Sequence, residues 1–226
     1  MQIPINEELA EEIGWHIGDG SMNYYPKREG KTRGIYQLRG HIEDDRPHYI
    51  KRIKPLFEKV YRVKINLREM PSTRVFGFQI WNNEIVRFKE QLGLPLGKKW
   101  ELQIPEAFTK NKKMLTACIR GIFDTDGGLY LQKKNSKLYP RIYIGTISVK
   151  LVDQLTYLCN KLSLRATKSI EDYAKKGNRV TSYRLEIRGV DMLNKFFREI
   201  SPRNQKHIEK YNLFLESTKD LKKGYG

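Results

Sequence analysis

The sequence predicts an α+β fold of two pseudo-symmetric αββαββα halves, with two matching helices packed at the interface between them. Three observations predict it: an internal repeat, helical and strand periodicities that alternate in the same order in each half, and a stripe of small residues on both helices. At an offset of 107 residues, Ala10, Gly14, Asp19 and Gly20 fall on Ala117, Gly121, Asp126 and Gly127. Tyr36 falls on Tyr143, Ile80 on Ile187, Pro95 on Pro202 and Lys99 on Lys206. The register holds across the chain with a small gap in the middle of each half. The repeat divides the chain into 1–105 and 106–226.

Residues 6–19 read as a helix, with Asn6 as N-cap, Glu7 and Glu8 in the first turn and Gly20 as the stop. Residues 21–25 and 35–41 form a hairpin around a basic loop at 26–34. Ile50, Ile53, Phe57 and Val60 recur at helical spacing within 46–61. Residues 64–69 alternate polar and apolar, as a half-buried strand does, and 75–81 form a further strand before a helix at 84–92. The second half repeats the order: helix 111–126, strands 128–134 and 141–147, helix 149–162, strands 164–171 and 180–188, helices 190–199 and 205–218. Residues 219–226 read as a frayed tail.

With 43 Lys+Arg against 26 Asp+Glu, the net charge is +17, unevenly split into +4 for the first half and +13 for the second. That surplus points to a polyanionic partner, most simply nucleic acid. No 18-residue apolar run is present, and the acidic start MQIPINEELAEE lacks a secretory h-region. Two cysteines, Cys118 and Cys159, are too few for a disulfide scaffold, and four histidines show no zinc spacing. The expected setting is intracellular: the cytoplasm or nucleoid of a prokaryote or an organelle matrix, without secretion or membrane attachment.

Ala10, Gly14 and Gly18 stand at i, i+4 and i+8, as do Ala117, Gly121 and Thr125. Each triplet shares a helix face, and small side chains there let two backbones approach closely. Crossing along these stripes would bring the helix C-termini together, with Asp19 and Asp126 one residue beyond. Two close carboxylates beside two negative helix ends call for a cation. Oxygen ligands and an expected phosphate favour Mg²⁺, which points to phosphodiester chemistry. The run Asp124–Gly128 has a calcium-loop look, but Gly128 and Leu129 fail the ligand and glycine positions an EF-hand requires.

Ile119-Arg120-Gly121-Ile122-Phe123-Asp124-Thr125-Asp126-Gly127 closely resembles the nine-residue LAGLIDADG motif. Glu12-Ile13-Gly14-Trp15-His16-Ile17-Gly18-Asp19-Gly20 is a looser copy, with Ile17 in place of the first Asp. The chain thus resembles a single-chain, two-motif LAGLIDADG homing endonuclease. The resemblance implies that Asp19 and Asp126 bind two or three Mg²⁺ ions shared between the halves, with Gly18 and Thr125 beside them. It implies a β-saddle on double-stranded DNA, a long asymmetric target and cuts leaving short 3′ overhangs. Lysines near the end of each half assist in the family, which suggests Lys99 and Lys206 as catalytic; Lys98 is an alternative to Lys99. The segments a splicing domain would need are missing, which favours a free-standing, intron-encoded, monomeric enzyme. The alternatives on the same fold are an RNA maturase acting on intron RNA and a non-cleaving DNA-binding regulator.

The strand patterns select the DNA-facing set. Tyr183, Leu185 and Ile187 should face the helices and Arg184, Glu186 and Arg188 outward; Phe76, Phe78 and Ile80 match the inward set and Gln79 and Trp81 the outward one. Lys64, Asn66 and Arg68 belong to the neighbouring strand, and Arg39 to a face that the pattern leaves ambiguous. Such side chains suit base-edge reading. Basic loops at 26–31, 133–137 (with Lys133 and Lys134) and 174–179 suit phosphate contacts. His16 and the cysteines read as packing residues, and His207 as either packing or a phosphate neighbour.

Overall fold

Asn6 and Asn111 open the two motif helices. The Asn6 side chain accepts the Leu9 N–H at 2.9 Å to start α1 (Glu7–Gly18), and the Asn111 side chain accepts the Lys113 and Met114 N–H groups to start α5 (Lys112–Asp126). The computed structural model describes residues 2–27, 30–134, 137–175 and 178–223. Among these, no helix is long and apolar enough to cross a membrane.

Each motif helix leads directly into a four-stranded antiparallel sheet. The first comprises β1 (Gly20–Pro26), β2 (Thr32–His41), β3 (Arg68–Met70) and β4 (Val75–Trp81), in the order β1-β2-β4-β3. The second comprises β5 (Gly127–Lys134), β6 (Lys137–Thr146), β7 (Ala166–Lys175) and β8 (Asn178–Arg188), in the order β5-β6-β8-β7. Helices α2 (Arg46–His48), α3 (Lys54–Tyr61) and α4 (Asn83–Gln91) belong to the first unit; α6 (Val149–Lys161), α7 (Val190–Glu199) and α8 (Gln205–Lys223) belong to the second. This is the α+β architecture the repeat predicts.

Four local departures are seen, and two have a physical cause in neighbouring side chains or a proline. The hairpin strands reach Pro26 and start again at Thr32, so the basic loop is shorter than expected. The helix expected over 46–61 is interrupted by a π-helical turn, Tyr49–Ile53, in which the Lys54 N–H bonds to the Tyr49 carbonyl. Pro55 follows directly; it has no N–H to give a regular ladder, and the wider turn absorbs it. The strand expected over 64–69 pairs only at Arg68–Met70. The Glu58 carboxylate accepts the Ile65 N–H and the Lys54 ammonium donates to the Ile65 carbonyl, so side chains hold the bonds a sheet neighbour would have made. The expected frayed tail instead continues α8 to Lys223.

The pairing also corrects one repeat match. Gly20 pairs with Leu38, but Gly127 pairs with Ile144, so the offset in this strand is 106 and Tyr36 corresponds to Ile142. Tyr36 is buried in the core, whereas Tyr143 faces outward beneath the Arg184 guanidinium. A one-residue slip exchanges the two faces of a strand.

The motif helices meet backbone to backbone. A Cβ on Gly14 would lie 2.2 Å from the Cys118 carbonyl oxygen and 2.8 Å from Gly121 Cα; one on Gly121 would lie 2.2 Å from the Glu11 carbonyl oxygen. Ala10 and Ala117 are fully buried on the same helices. Glu11, 1 % exposed, fastens this crossing electrostatically. Its carboxylate accepts two bonds from Arg52 at 2.8 Å, one from Arg120 at 3.0 Å and one from Arg203 at 3.1 Å. Arg52 comes from the first unit and the other two from the second. The next residue, Glu12, turns into the first unit's core, where it accepts from Lys89 at 2.7 Å and from the Tyr61 and Tyr36 hydroxyls.

Gly121→Ala would set a methyl against the α1 backbone at Glu11 and Gly14, which cannot yield as a side chain can. It is expected to cost about 3 kcal/mol of stability, the upper end of the usual overpacking range. Gly145→Ala, which meets open space, should leave stability unchanged. Urea unfolding followed by circular dichroism checks both.

Candidate active site

Nothing larger than glycine fits where each motif helix passes into its sheet. A Cβ on Gly20 would lie 2.6 Å from His16 Cα, and one on Gly127 2.2 Å from the Phe123 ring. A Cβ on Gly18 would stand 2.0 Å from Thr125 Oγ1 and 3.5 Å from Asp126 Cγ. Asp126 and the α1 terminus are therefore side by side, with Asp19 as the C-cap residue of α1. Asp126 and Ile17 line an open groove of ≈ 580 Å³ together with Lys98, Lys99 and residues 145–147.

Burial, with repulsion from Asp126 and Asp45 added, raises the Asp19 carboxyl to about 8. The Asp126 carboxyl is raised too, by the surrounding protein, although Lys99 and Lys206 pull it down. Both carboxylates thus want positive charge. Their oxygens are hard donors suited to Mg²⁺ or Ca²⁺. Among the described residues no three His, Cys, Asp or Glu side chains gather as a metal cluster, so phosphate and water oxygens would complete any coordination shell.

The two lysines are held in different ways. Lys99 Nζ donates to the carbonyls of His16, Ile17 and Gly18 at 2.9, 3.0 and 2.5 Å, capping α1. Burial lowers its pKa to about 8, against the pull of Asp126 and Asp19. Lys98 is exposed, with its ammonium 4.5 Å from the centroid of the Trp100 ring. Lys206 Nζ donates to Asp45 Oδ1 at 2.7 Å. The Gly18 carbonyl, expected beside the metal, accepts the Lys99 ammonium, and the Thr125 hydroxyl is turned back onto the Gly121 and Ile122 carbonyls of its own helix.

Several polar residues of the site carry no local sequence signal. Asp45 is 4 % exposed; burial would raise it, but Lys206, the His41 N–H and Asn204 together hold it below its ordinary value. The fully buried Asp124 carboxylate accepts the N–H groups of Arg203 and Asn204, tying the segment before α8 to the second motif helix. The Tyr49 hydroxyl is buried, and burial plus Asp19, Asp45 and Asp126 push its pKa well up. His207 is buried with its ring centroid 4.3 Å from that of Phe123, which places it in packing rather than at a phosphate. Burial lowers His207 to about 3 and His48 to about 4, so both rings are neutral. His16 stacks on Tyr36. Cys118 and Cys159 are buried thiols.

The outward sheet faces hold polar and aromatic side chains in mutual contact. Arg39 donates to Gln79 at 3.0 Å, and Arg33 lies over the Trp81 ring at 4.9 Å. Arg188 Nε donates to Glu186 at 2.7 Å, and Arg184 pairs with Glu171 at 2.9 Å. Arg68 is exposed on β3; Lys64 and Asn66 are exposed but precede the strand, contrary to the expected placement. Lys133 is exposed on β5; the side chain of Lys134 lies outside the described residues, as do residues 28–29, 135–136 and 176–177 of the three basic loops. Tyr130, Arg141 and Tyr143 line a second cavity with Arg184 and Glu186, and the sequence reading missed them. Tyr143 was hidden by its false match to Tyr36.

This site and fold define a LAGLIDADG-type architecture. Residues 113–201 match the family model of the LAGLIDADG-like domain, and the whole chain takes the fold of LAGLIDADG homing endonucleases. A structure of mesophilic variants of the homing endonuclease I-DmoI superposes with a TM-score of 0.64 at 17 % identity, covering 87 % of this chain and 96 % of that one. I-DmoI in complex with DNA and Mn gives 0.62 at 18 % identity, covering 87 % and 97 %. The I-LtrWI LAGLIDADG homing endonuclease bound to target DNA gives 0.58 at 16 %, covering 98 % and 92 %. In sequence, 215 residues are 27 % identical to the replication factor C small subunit of Methanocaldococcus jannaschii. That match covers 95 % of this chain, which spans about a tenth of the length of that relative.

Asp19→Asn should stabilise the protein in EDTA. A carboxyl whose folded pKa lies above its unfolded value favours folding while protonated and loses that advantage as pH rises towards the folded pKa. The gain is therefore absent near pH 4, grows through neutrality and reaches about 1 to 2 kcal/mol at pH 8, allowing for solvent at the groove. Thermal melts of both proteins across this range test it.

Proposed function

We propose that this protein is a site-specific double-strand DNA endonuclease of the LAGLIDADG homing type, dependent on Mg²⁺. The observation that carries the reading is the convergence of Asp19 and Asp126 at two helix ends packed backbone to backbone. A protein that only binds a polyanion gains nothing from two converging acids at its centre. The DNA-bound homing endonucleases of the same fold support the duplex as ligand. The divalent ions in related structures, Mn, Ca and Mg, support a divalent cation.

Asp19 and Asp126 would hold the ions through their carboxylate oxygens. A divalent ion supplies Lewis acidity at the scissile phosphate and at the attacking water. In each strand, water oxygen bonds to phosphorus, the bond to O3′ breaks, and the departing oxygen takes up a proton. Lys206 and Lys99 place positive charge next to the carboxylates, where it opposes the growing negative charge on the phosphate. The outward faces, through Arg39, Gln79, Trp81, Arg184, Glu186 and Arg188, read base edges, while Lys64, Asn66, Arg68 and Lys133 make supporting contacts to the duplex. Short 3′ overhangs, a long asymmetric target and a monomer acting in a nucleoid or organelle matrix belong to the same reading.

An intron is one coding context. The match to a tenth of a replication-factor protein supports another, in which such a unit is carried within a longer polypeptide. The replication factor's own activity is no part of the proposal.

The test is incubation with a randomised duplex library in Mg²⁺ or EDTA, followed by sequencing of ends. Mg²⁺-dependent breaks at one long motif are expected. A motif enriched by binding but never cut would leave the non-cleaving regulator, and no DNA enrichment in a library deep enough to hold the site would leave the RNA maturase. Asp126→Asn should reduce cleavage by roughly a thousandfold or more while leaving DNA affinity within about threefold, since the lost carboxylate serves metal-assisted chemistry. Unchanged cleavage by this variant would refute the assignment.

A further inference from the structure

Asp45 occupies the position before α2, where an aspartate ordinarily caps a helix. Here the side chain makes no cap bond. Pro47 has removed one of the N–H groups it would have bonded. The carboxylate points across the molecule instead, at residues of the other half. Oδ1 accepts Lys206 Nζ at 2.7 Å and Asn204 Nδ2 at 2.8 Å, while Oδ2 accepts the His41 N–H at 2.8 Å. Gly40 makes room for it, because a Cβ there would lie 2.8 Å from Oδ2. Asn204 is fixed in turn by the Asp124 carbonyl at 2.8 Å. Asp45 is thus held from three sides with one lysine as its charged partner. Among the described residues no carboxylate accepts from Lys99; the carbonyls of α1 hold it.

We propose that Asp45 is a positioning residue for Lys206, and that the two strand cuts differ in their dependence on it. The first half supplies the carboxylate that aims the second half's lysine at the Asp19–Asp126 pair. Without it, a four-carbon ammonium chain swings free, and orientation is lost while charge is kept. Scission of the strand that relies on Lys206 then slows; scission of the strand that relies on Lys99 does not.

This inference rests on the endonuclease reading, and the experiment separates the two. The target recovered from the randomised library is labelled on either strand and cleaved under single turnover in Mg²⁺ by the full chain. If wild type cuts neither strand, the endonuclease reading fails. If wild type cuts, Asp45→Asn is expected to slow one strand by about tenfold or more, accumulating nicked duplex, with the other strand within about threefold. The slowed strand should be the one slowed by Lys206→Met, and Asp45→Glu should restore part of the rate. Gly40→Ala, which displaces the carboxylate without removing a polar group, should slow the same strand and is the deciding variant if Asp45→Asn does not fold. Equal slowing of both strands, slowing of the strand that Lys99→Met affects, or no change would overturn the proposal.

Discussion

The structure depends on two glycines. Gly14 and Gly121 bring α1 and α5 so close that neither helix could carry even a methyl group at the crossing. Everything chemical follows from that approach. It sets the helix ends next to each other, and the helix ends carry Asp19 and Asp126. The same crossing that builds the apolar centre of the molecule therefore builds its most strained electrostatic feature, two acids beside two negative helix termini. The protein holds its own lysines at both ends of this arrangement but leaves the groove open beside Asp126. An arrangement that is unfavourable alone and relieved by a cation is how a site is kept ready for a ligand at a cost in stability.

Around this centre the two units solve the same problem with different chemistry. The first unit buries the Glu12–Lys89 pair among Tyr36 and Tyr61, where the second places Ile119 on the matching helix position. The second unit buries Asp124 against the N–H groups of Arg203 and Asn204, where the first has Ile17. Each buried acid is supplied with donors, as burial demands. The backbone repeat is kept, and the polar contents have diverged.

Much of this was legible in the sequence because it rests on spacing. The i, i+4, i+8 stripe, the Asp-Gly steps after each helix and the order of periodicities are local patterns, and they placed Asp19, Asp126 and both sheets. What spacing leaves unmarked is decided by a distant partner. Nothing local to Asp45 signals Lys206 beside it. Nothing local to Glu11 signals the three arginines from two halves that reach it. The expected strand at 64–69 alternates correctly, yet Glu58 and Lys54 satisfy its backbone first. A fixed repeat offset misplaced Tyr143, since a single-residue slip leaves composition untouched while reversing the face.

The Glu11 cluster has a consequence for recombining such proteins. Its acid sits on one side of the crossing, and two of its three arginines, Arg120 and Arg203, sit on the other. A chimera joining residues 1–105 to the second half of another protein would inherit the carboxylate and Arg52 without the other two counter-charges. Grafts on this scaffold will be compatible when the incoming partner brings two correctly placed guanidinium groups, or when Glu11 is exchanged along with the graft. The seam between the halves is a coded junction, and the code is written in charge.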